Sequence, residues 1–274
     1  MKYEELAGLR MPKIGFGTWS IGGKSTADTS SDEKSLTALV SALKLGYTHF
    51  DTAEMYAGGH AEELLGEAIR VAGKKREELI ITSKVLPLHL KYGEVLAACE
   101  RSLKRLGMEY LDIYLIHWPN PLIRLEETFP ALNKLVKDGL VRHIGVSNFK
   151  LKQLKRAQEL CETPIITDQV PYRLPDKTYV ENGVLEYCQK NDILLTAYSP
   201  VKFRNVNVNP ALKTIAETHN ATAFQIALAW LVAQARVISI PMSFNPVHQK
   251  ENLEAVEIDL TAEEMAQLNG LYSR

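Results

Sequence analysis

Short apolar segments alternate with amphipathic segments along the whole chain, and this alternation is the feature that most constrains the fold. Each apolar segment is nearly continuous and is typical of a strand buried on both faces of a parallel sheet. The segments between them carry apolar residues at helical spacing, as at Leu36, Leu39, Val40 and Leu43. Eight strands are predicted in this way: 14–19, the run that ends at Asp51, 79–83, 111–116, 141–146, 165–170, 193–197 and 237–240.

Eight parallel strands with intervening helices predict an α/β fold, a closed (β/α)8 TIM barrel. Residues 3–17 are extended around turn residues at Gly8 and Pro12, which predicts a short N-terminal β-hairpin. A doubly wound sheet is the competing fold, but the segment 15–20 (GFGTWS) lacks the third glycine of a dinucleotide-binding turn. No linker or composition shift divides the chain, so residues 1–274 are predicted to form a single domain.

The helices between the strands are bounded by recognisable caps and stops. The first is capped by Ser31 or Asp32 and stopped by Gly46. Further helices are predicted at 61–71, 95–106, 125–137, 151–160 and 179–190, with one or two in 211–234 and two extra helices late in the chain, at 247–255 and 261–268.

Composition excludes several function classes. The formal net charge is −1, so no basic field favours nucleic acid or an anionic membrane. Cys99, Cys161 and Cys188 form no CxxC pair, and the seven histidines form no HxH pair, so neither a disulfide framework nor a metal site is expected. The N-terminus lacks a signal peptide and no apolar run could span a bilayer, so a cytoplasmic location is expected.

Four reactive side chains follow three successive strands. Asp51 ends one strand, Tyr56 lies five residues later, and Lys84 and His117 end the next two strands. The spacing is regular (84 − 51 = 33 and 117 − 84 = 33), which is the length of one strand–helix unit. Because the active site of a (β/α)8 barrel lies at the carboxyl ends of its strands, these four side chains are candidate catalytic residues.

These residue types together suit proton delivery to an oxygen. Free tyrosine has a pKa of about 10, and a nearby ammonium such as Lys84 is expected to lower it for Tyr56. Asp51 would balance the buried charge of Lys84, and His117 would donate a hydrogen bond to a substrate carbonyl. Each residue could instead be structural; their joint placement favours catalysis. Protonating a carbonyl oxygen is half of a reduction, and the hydride half requires a cofactor.

Several motifs resemble the aldo-keto reductase family along nearly the whole chain. They are Gly15–Trp19, Gly46–Ala53 with Tyr56, Lys84, His117–Pro119 and Ile144–Phe149. The resemblance implies a barrel that reduces aldehydes or ketones with a nicotinamide cofactor. It implies Tyr56 as the proton donor, Asp51 and Lys84 as its tuning pair, and His117 as the substrate orienter.

The resemblance also implies where the cofactor binds. Ser147, Asn148 and Gln169 would hold the nicotinamide carboxamide, Tyr198 would stack on the ring, and Ser199-Pro200 would begin the loop along the pyrophosphate. The remaining implied cofactor contacts lie after the first, second and eighth strands: Gly17, Thr18, Trp19, Asp51, Ser243, His248, Lys250, Glu251 and Asn252.

The phosphate end departs from the family pattern. The Lys and Arg that commonly grip the 2′-phosphate of NADPH are replaced by Met242 and His248, whereas Ser243, Glu251 and Asn252 match. Methionine cannot pair with a phosphate and neutral histidine pairs weakly. Lys250 either substitutes for them or is an ordinary solvated lysine. NADPH is therefore expected as the cofactor, with a weakened preference that makes NADH plausible.

An open, aromatic substrate pocket is expected. The chain ends at Arg274, soon after its last predicted helix, so the long C-terminal loop frequent in the family should be short or absent. Small aldehydes, sugars or diketones would fit such a pocket better than steroids. Its predicted walls are Trp19, Tyr56, Leu86, His117, Trp118 and Phe203.

Two rival functions remain open at this stage. A cofactor-binding regulatory subunit on the same fold would resemble the potassium-channel β subunits, although those usually carry an added N-terminal segment. A metal-dependent barrel hydrolase would be expected to show a histidine pair on its first strand, and none is present. For the enzyme, a small-molecule carbonyl partner and a monomer or small homo-oligomer are expected.

Overall fold

The computed structural model describes residues 2–204, 206 and 209–272. A hairpin of strands β1 (Tyr3–Leu6) and β2 (Leu9–Pro12) precedes a sheet of eight parallel strands whose spatial order follows the chain. These strands are β3 (Phe16–Gly17), β4 (His49–Asp51), β5 (Ile80–Val85), β6 (Leu111–Ile116), β7 (Val141–Ser147), β8 (Thr167–Pro171), β9 (Leu194–Tyr198) and β10 (Val237–Ser239).

The first and last strand regions hydrogen-bond to each other and close the sheet into a barrel. The Gly15 N–H donates to the Ser239 carbonyl (2.8 Å), and the Ser239 N–H donates to the Lys13 carbonyl (2.9 Å). Ile14 and Ser239 accordingly form a parallel bridge. The predicted (β/α)8 barrel with an N-terminal hairpin is confirmed. The regular ladder of the first strand is shorter than the predicted 14–19.

Helices connect the strands and cover the outside of the barrel. The first of them ends at Gly46, which adopts a left-handed φ of 98°, as the sequence predicted. The helices are α1 (Asp32–Leu45), α2 (His60–Val71), α3 (Tyr92–Leu106), α4 (Leu125–Lys137), α5 (Leu151–Leu160), α6 (Thr178–Glu181), α7 (Val184–Lys190), α8 (Pro210–Thr218), α9 (Ala223–Val232), α10 (Pro246–Glu254) and α11 (Ala262–Gly270).

The structure corrects two further predicted elements and decides between one and two helices in a third segment. The single helix expected at 179–190 is wrong: Gly183 has a φ of 76°, which an α-helix cannot contain, and it separates α6 from α7. Segment 211–234 holds two helices, because Thr222 caps α9 through its side chain and starts a new helix. The sixth strand begins at Thr167 rather than 165.

The hairpin packs against the side chains that fill the lower part of the barrel. Leu6 and Met11 form one apolar cluster with residues from four barrel strands or their starts: Ile113, Leu115, Ile166, Leu194 and Ile238. The buried Lys13 ammonium fixes this end by pairing with Glu4 (2.5 Å) and donating to the Gln234 carbonyl (2.8 Å). The strand ends at the opposite face are left free for a site.

A polar layer lies inside the barrel one step below the strand ends. His49 bonds to the Thr82 hydroxyl (3.0 Å), and the Thr167 and Thr196 hydroxyls bond to each other (2.7 Å). Burial lowers the pKa of His49 to about 4, so its ring is neutral. Gly15 makes room for that ring, because a Cβ at this position would lie 2.4 Å from the His49 Nδ1. Asp51 stands directly above His49 on the same face of β4.

Within the described residues, no helix has both the length and the apolar character needed to cross a membrane.

Replacing Gly66 with alanine should destabilise the barrel. A Cβ there would lie 2.4 Å from the Leu106 carbonyl oxygen, where α2 crosses the end of α3, and backbone cannot yield cheaply. We expect a loss of about 1–3 kcal/mol of unfolding free energy, measured by urea denaturation. Gly93→Ala in α3 is the matched control: no atom lies within 4 Å of its added Cβ, and the change should be neutral or slightly stabilising. Equal effects of the two changes would contradict this packing.

Candidate active site

The Lys84 ammonium lies at the centre of the strand-end cluster. It donates to Asp51 Oδ1 (2.5 Å), to the Thr52 carbonyl (2.8 Å) and to the Tyr56 hydroxyl (3.1 Å). Lys84 and Asp51 are essentially inaccessible to solvent, with side-chain exposures of 0% and 1%. Three acceptors match the three N–H groups of an ammonium, so the buried charge is fully hydrogen-bonded. The structure thus brings together the acid, phenol and amine predicted from the strand ends.

Electrostatics keep Tyr56 protonated and Lys84 charged. Burial raises the pKa of Tyr56, and the lowering effect of Lys84 does not overcome it. The expectation that Lys84 brings the pKa of Tyr56 below its ordinary value is therefore wrong for this structure, although the direction of that one interaction is right. Burial opposes the charge on Lys84, but Asp51 and Tyr56 outweigh it and hold the pKa of Lys84 above its ordinary value.

His117 completes the polar part of the cluster as a neutral imidazole. Burial, assisted by Lys84, lowers the pKa of His117 to about 2. Its ring centroid lies 5.6 Å from that of Tyr56 in an edge contact, and the ring stacks on Trp118 with centroids 3.8 Å apart. Its Nδ1 atom is buried and has no hydrogen-bond partner within the described chain. A neutral imidazole offers one donor and one acceptor, which suits it to orient an oxygen without becoming an acid.

The ends of β7, β8 and β9 form a hydrogen-bonded network beside this cluster. Asn148, held at a left-handed φ of 62°, donates to the His117 carbonyl (3.1 Å) and to Ser147 Oγ (2.9 Å). The Tyr198 hydroxyl donates to Asn148 Oδ1 (2.9 Å), which fixes the tyrosine ring. Gln169 Nε2 donates to Asp51 Oδ2 (2.7 Å). Sequence reasoning named Gln169 and Asp51 both as cofactor contacts but did not predict the hydrogen bond between them.

The segment that follows β3 passes close to these residues. Thr18 donates both its N–H (2.9 Å) and its hydroxyl (3.0 Å) to the Asp51 carbonyl. Gly17 lies so near the Ile240 carbonyl that an added Cβ would be 2.8 Å from it. Ser199 continues the rim with a left-handed φ of 50° before the buried Pro200. The backbone at this face is therefore tightly fixed around an opening.

The segment after β10 carries few cations of its own. Asn245 caps α10 by accepting the Val247 N–H (3.0 Å), and His248 is exposed on the first turn. Lys250 pairs with Glu254 one turn later (3.5 Å). The Lys34 ammonium, from α1, lies 4.6 Å from the Phe244 ring centroid, next to Ser243. Sequence reasoning missed Lys34, since no local pattern connects positions so far apart.

The last two residues predicted at this end differ in burial. Glu251 is half-buried, whereas Asn252 is 9% exposed; the nearby Tyr47 hydroxyl donates to the Gln249 carbonyl (2.8 Å).

Four of the six predicted pocket walls are aromatic rings that contact one another in series. Trp19 is 39% exposed and its ring centroid lies 5.1 Å from that of Tyr56, so the two share one mouth with His117 and Trp118. Leu86, two residues after Lys84, is half-buried. The Phe203 ring contacts Tyr272, with centroids 6.2 Å apart. Trp19, Tyr56, His117 and Trp118 thus form one aromatic cluster at this mouth.

Among the described residues, no group of three or more His, Cys, Asp or Glu side chains is placed to hold a metal ion.

A sequence profile described as the Aldo/keto reductase family matches residues 13–273. The methylglyoxal reductase YeaE of Escherichia coli is 36% identical over 273 residues, which cover 96% of this chain and 92% of that protein. A thermostable aldo-keto reductase solved with the inhibitor epalrestat superposes with a TM-score of 0.95 at 47% identity, over 99% of this chain and 100% of that one. The aldo/keto reductase of Klebsiella pneumoniae solved with NADP and acetate gives 0.86 at 36% identity, over 96% and 92%.

Replacing Asp168 with asparagine should change the pH dependence of stability. Asp168 follows Thr167 on β8 and its carboxyl is fully buried; Oδ1 accepts the Phe149 N–H at 3.4 Å, and Oδ2 has no partner in the described chain. Burial raises the pKa of Asp168 well above its ordinary value. The folded protein therefore keeps a proton that the unfolded chain releases above a pH of about 4, so stability falls as pH rises beyond that point.

Asparagine carries no such proton. The stability of Asp168→Asn relative to wild type should increase from pH 4 to pH 8 by at least about 1 kcal/mol, measured by urea denaturation at both values. If the stability difference between Asp168→Asn and wild type is the same at both pH values, Asp168 is ionised in the folded protein.

Proposed function

Because this chain belongs to the aldo/keto reductase family, we propose that it reduces small aldehydes and ketones to alcohols with Tyr56 as the proton donor. It is an oxidoreductase that uses a nicotinamide cofactor on carbonyl groups. One observation carries the assignment of the acid: the Tyr56 hydroxyl accepts a hydrogen bond from a buried ammonium, Lys84, at 3.1 Å.

Tyr56 is suited to give up a proton only when a substrate oxygen gains charge. At neutral pH its hydroxyl is protonated, because burial raises its pKa. Once the proton leaves, a phenolate stands 3.1 Å from the Lys84 ammonium, and their attraction in a buried site is much stronger than that of the neutral phenol. The attraction between Lys84 and the Tyr56 oxygen thus strengthens as the proton leaves, which stabilises the transition state more than the ground state.

His117 orients the carbonyl in this proposal. Its neutral ring donates one hydrogen bond to the carbonyl oxygen, which places that oxygen within reach of Tyr56. The stack on Trp118 at 3.8 Å fixes the plane of the imidazole. A protonated His117 would compete with Tyr56 as the acid, and the pKa of about 2 prevents this. The two residues therefore keep separate roles.

The residues at the ends of β7–β9 fit a nicotinamide. Ser147, Asn148 and Gln169 would hold its carboxamide, and they are already joined: the Ser147 hydroxyl (2.7 Å) and the Asn148 N–H (3.0 Å) both donate to the Gln169 backbone carbonyl. The Tyr198 ring, fixed through its hydroxyl, provides a flat face for stacking. When bound, the nicotinamide supplies the hydride. Gln169 also bonds to Asp51, so the residue that would hold the cofactor steadies the Asp51–Lys84 pair.

The rest of the dinucleotide would follow the rim. Gly17, Thr18, Trp19, Ser199 and Pro200 border the opening, and Asp51 lies beneath it. Ser243, His248, Glu251 and Asn252 would form the adenosine end, and Lys250 lies beside it, paired with Glu254. We propose NADPH as the cofactor, with NADH accepted, because Met242 and the exposed His248 provide no strong phosphate ligand.

Small aldehydes, sugars or diketones are the proposed substrates. The open mouth formed by Trp19, Tyr56, His117 and Trp118 admits small carbonyls, and the relative from Escherichia coli is named for methylglyoxal. We further propose that residues 1–274 form one domain that works in the cytoplasm as a monomer or small homo-oligomer, without a nucleic-acid or membrane partner. The hydrogen bonds between the first and last strands support the single domain.

Tyr56→Phe should lower kcat for methylglyoxal reduction by about 10²–10⁴-fold, because only the proton donor is removed. The cofactor dissociation constant, measured by fluorescence titration, should stay within twofold. Tyr114→Phe is the matched control: this tyrosine is also buried, and its hydroxyl has no hydrogen-bond partner in the described chain. That variant should keep wild-type turnover. Near-normal activity of Tyr56→Phe would overturn the assignment of the acid.

The preference for NADPH over NADH should be below about a thousandfold in dissociation constant, or roughly 4 kcal/mol. Lys34→Ala should weaken NADPH binding and leave NADH binding unchanged, since Lys34 is the cation beside Ser243 and Phe244. Lys250→Ala serves as the control and should change neither, because Lys250 pairs with Glu254. A larger preference, or a selective effect of Lys250→Ala, would contradict this account of the phosphate end.

A further inference from the structure

Glu54 is a buried carboxylate that the proposed reaction does not use. It lies between Asp51 and Tyr56 in sequence, and its side chain is only 5% exposed. We propose that Glu54 is a positioning residue that fixes the pocket wall, residues 85–89, against the segment bearing Tyr56. This inference rests on the proposed function, because the wall matters only if substrate binds beside it.

Glu54 extends the hydrogen bonding between the segments that follow β4 and β5 beyond the last backbone–backbone bond. The Thr52 N–H donates to the Thr82 carbonyl at 2.8 Å, and the Glu54 N–H donates to the Lys84 carbonyl at 3.4 Å. The next bond in this series is made by a side chain: Glu54 Oε1 accepts the Leu86 N–H at 2.6 Å. A charged acceptor makes this bond stronger than an ordinary backbone bond. This bond holds Leu86 beside the segment that follows β4, where no backbone–backbone bond does so.

The same carboxylate also holds the far end of the wall. Glu54 Oε1 bonds to His89 Nδ1 at 3.0 Å, and Glu54 Oε2 lies 3.5 Å from the Arg101 guanidinium. His89 and Arg101 are partly exposed, at 35% and 47% of their side chains. A buried carboxylate is costly unless it is paired and hydrogen-bonded, and these partners meet that requirement. Glu54 therefore clamps both Leu86 and His89.

The other side of the wall contacts the segment that carries His117. The His117 N–H donates to the Val85 carbonyl (3.1 Å), and Asn120 Nδ2 donates to the Pro87 carbonyl (2.9 Å). Displacing the wall would therefore move Leu86, while His117 keeps its contacts with Asn148 (3.1 Å) and Trp118 (3.8 Å). The Tyr56–Lys84–Asp51 bonds do not depend on Glu54. Removing its carboxylate should thus impair substrate binding more than the chemical step.

The test compares Glu54→Ala and Glu54→Gln with a matched buried carboxylate. Asp112, at the start of β6, accepts the Ile81 N–H (2.9 Å) near the start of β5 and pairs with Arg76 (2.5 Å) and Arg142 (3.1 Å), far from the end of β5 that Glu54 holds. Asp112→Asn should lower the melting temperature without changing the pocket. Each variant is assayed as full-length protein with cofactor, with benzaldehyde and methylglyoxal as the carbonyl substrates.

Glu54→Ala should raise KM for the benzaldehyde at least tenfold while kcat and the cofactor dissociation constant stay within about threefold. Glu54→Gln should stay within threefold of wild type in KM, since its amide oxygen still accepts the Leu86 N–H. Amide exchange of residues 85–90, measured by mass spectrometry, should accelerate in Glu54→Ala and not in Asp112→Asn.

An unchanged KM in Glu54→Ala, or an equal rise in Asp112→Asn, would overturn the positioning role. If the wild type reduces no carbonyl, the proposed function fails. The exchange measurement then still decides whether Glu54 holds the wall, and unaltered exchange in Glu54→Ala would refute it.

Discussion

The buried ammonium of Lys84 is the interaction on which the functional face depends. A charge with no solvent contact is stable only with a full set of acceptors, and Asp51, the Thr52 carbonyl and Tyr56 provide them. Gln169 occupies the second oxygen of Asp51, so the carboxylate cannot turn away from the ammonium. The same contacts that satisfy the charge place it beside a protonated phenol. Stability of the site and its proposed chemistry therefore have one physical origin.

The barrel makes that arrangement possible by stacking layers beneath it. The hairpin closes one end with Leu6 and Met11, and the neutral His49 supports the floor directly below Asp51. Gly15 is required there because any side chain would collide with the His49 ring. With one end filled and the walls closed by strand pairing, the polar cluster around Lys84 lies at the opening that the strand ends form. Glu54 holds the pocket wall, residues 85–89, at the side of that opening.

The sequence predicted more of the fold and of the inner cluster than of the rim. Strand ends at Asp51, Lys84 and His117 could be located because equal spacing and apolar runs are local properties of a chain. The break at Gly183 was missed, since a helical pattern continues across it and only the backbone angle reveals the stop. The net pKa shift of Tyr56 was also misjudged, because desolvation depends on how many atoms surround the hydroxyl.

By itself, the sequence determined the order of the elements, the residue types at the strand ends and the family that they resemble. Periodicity and caps decide these features, and both act within one or two helical turns or a single strand. Only the tertiary structure decided the contact of Gln169 with Asp51, 118 residues apart, and the position of Lys34 over Phe244. Closing the barrel brings such residues together, and distance through space, rather than along the chain, sets the strength of hydrogen bonds and charges.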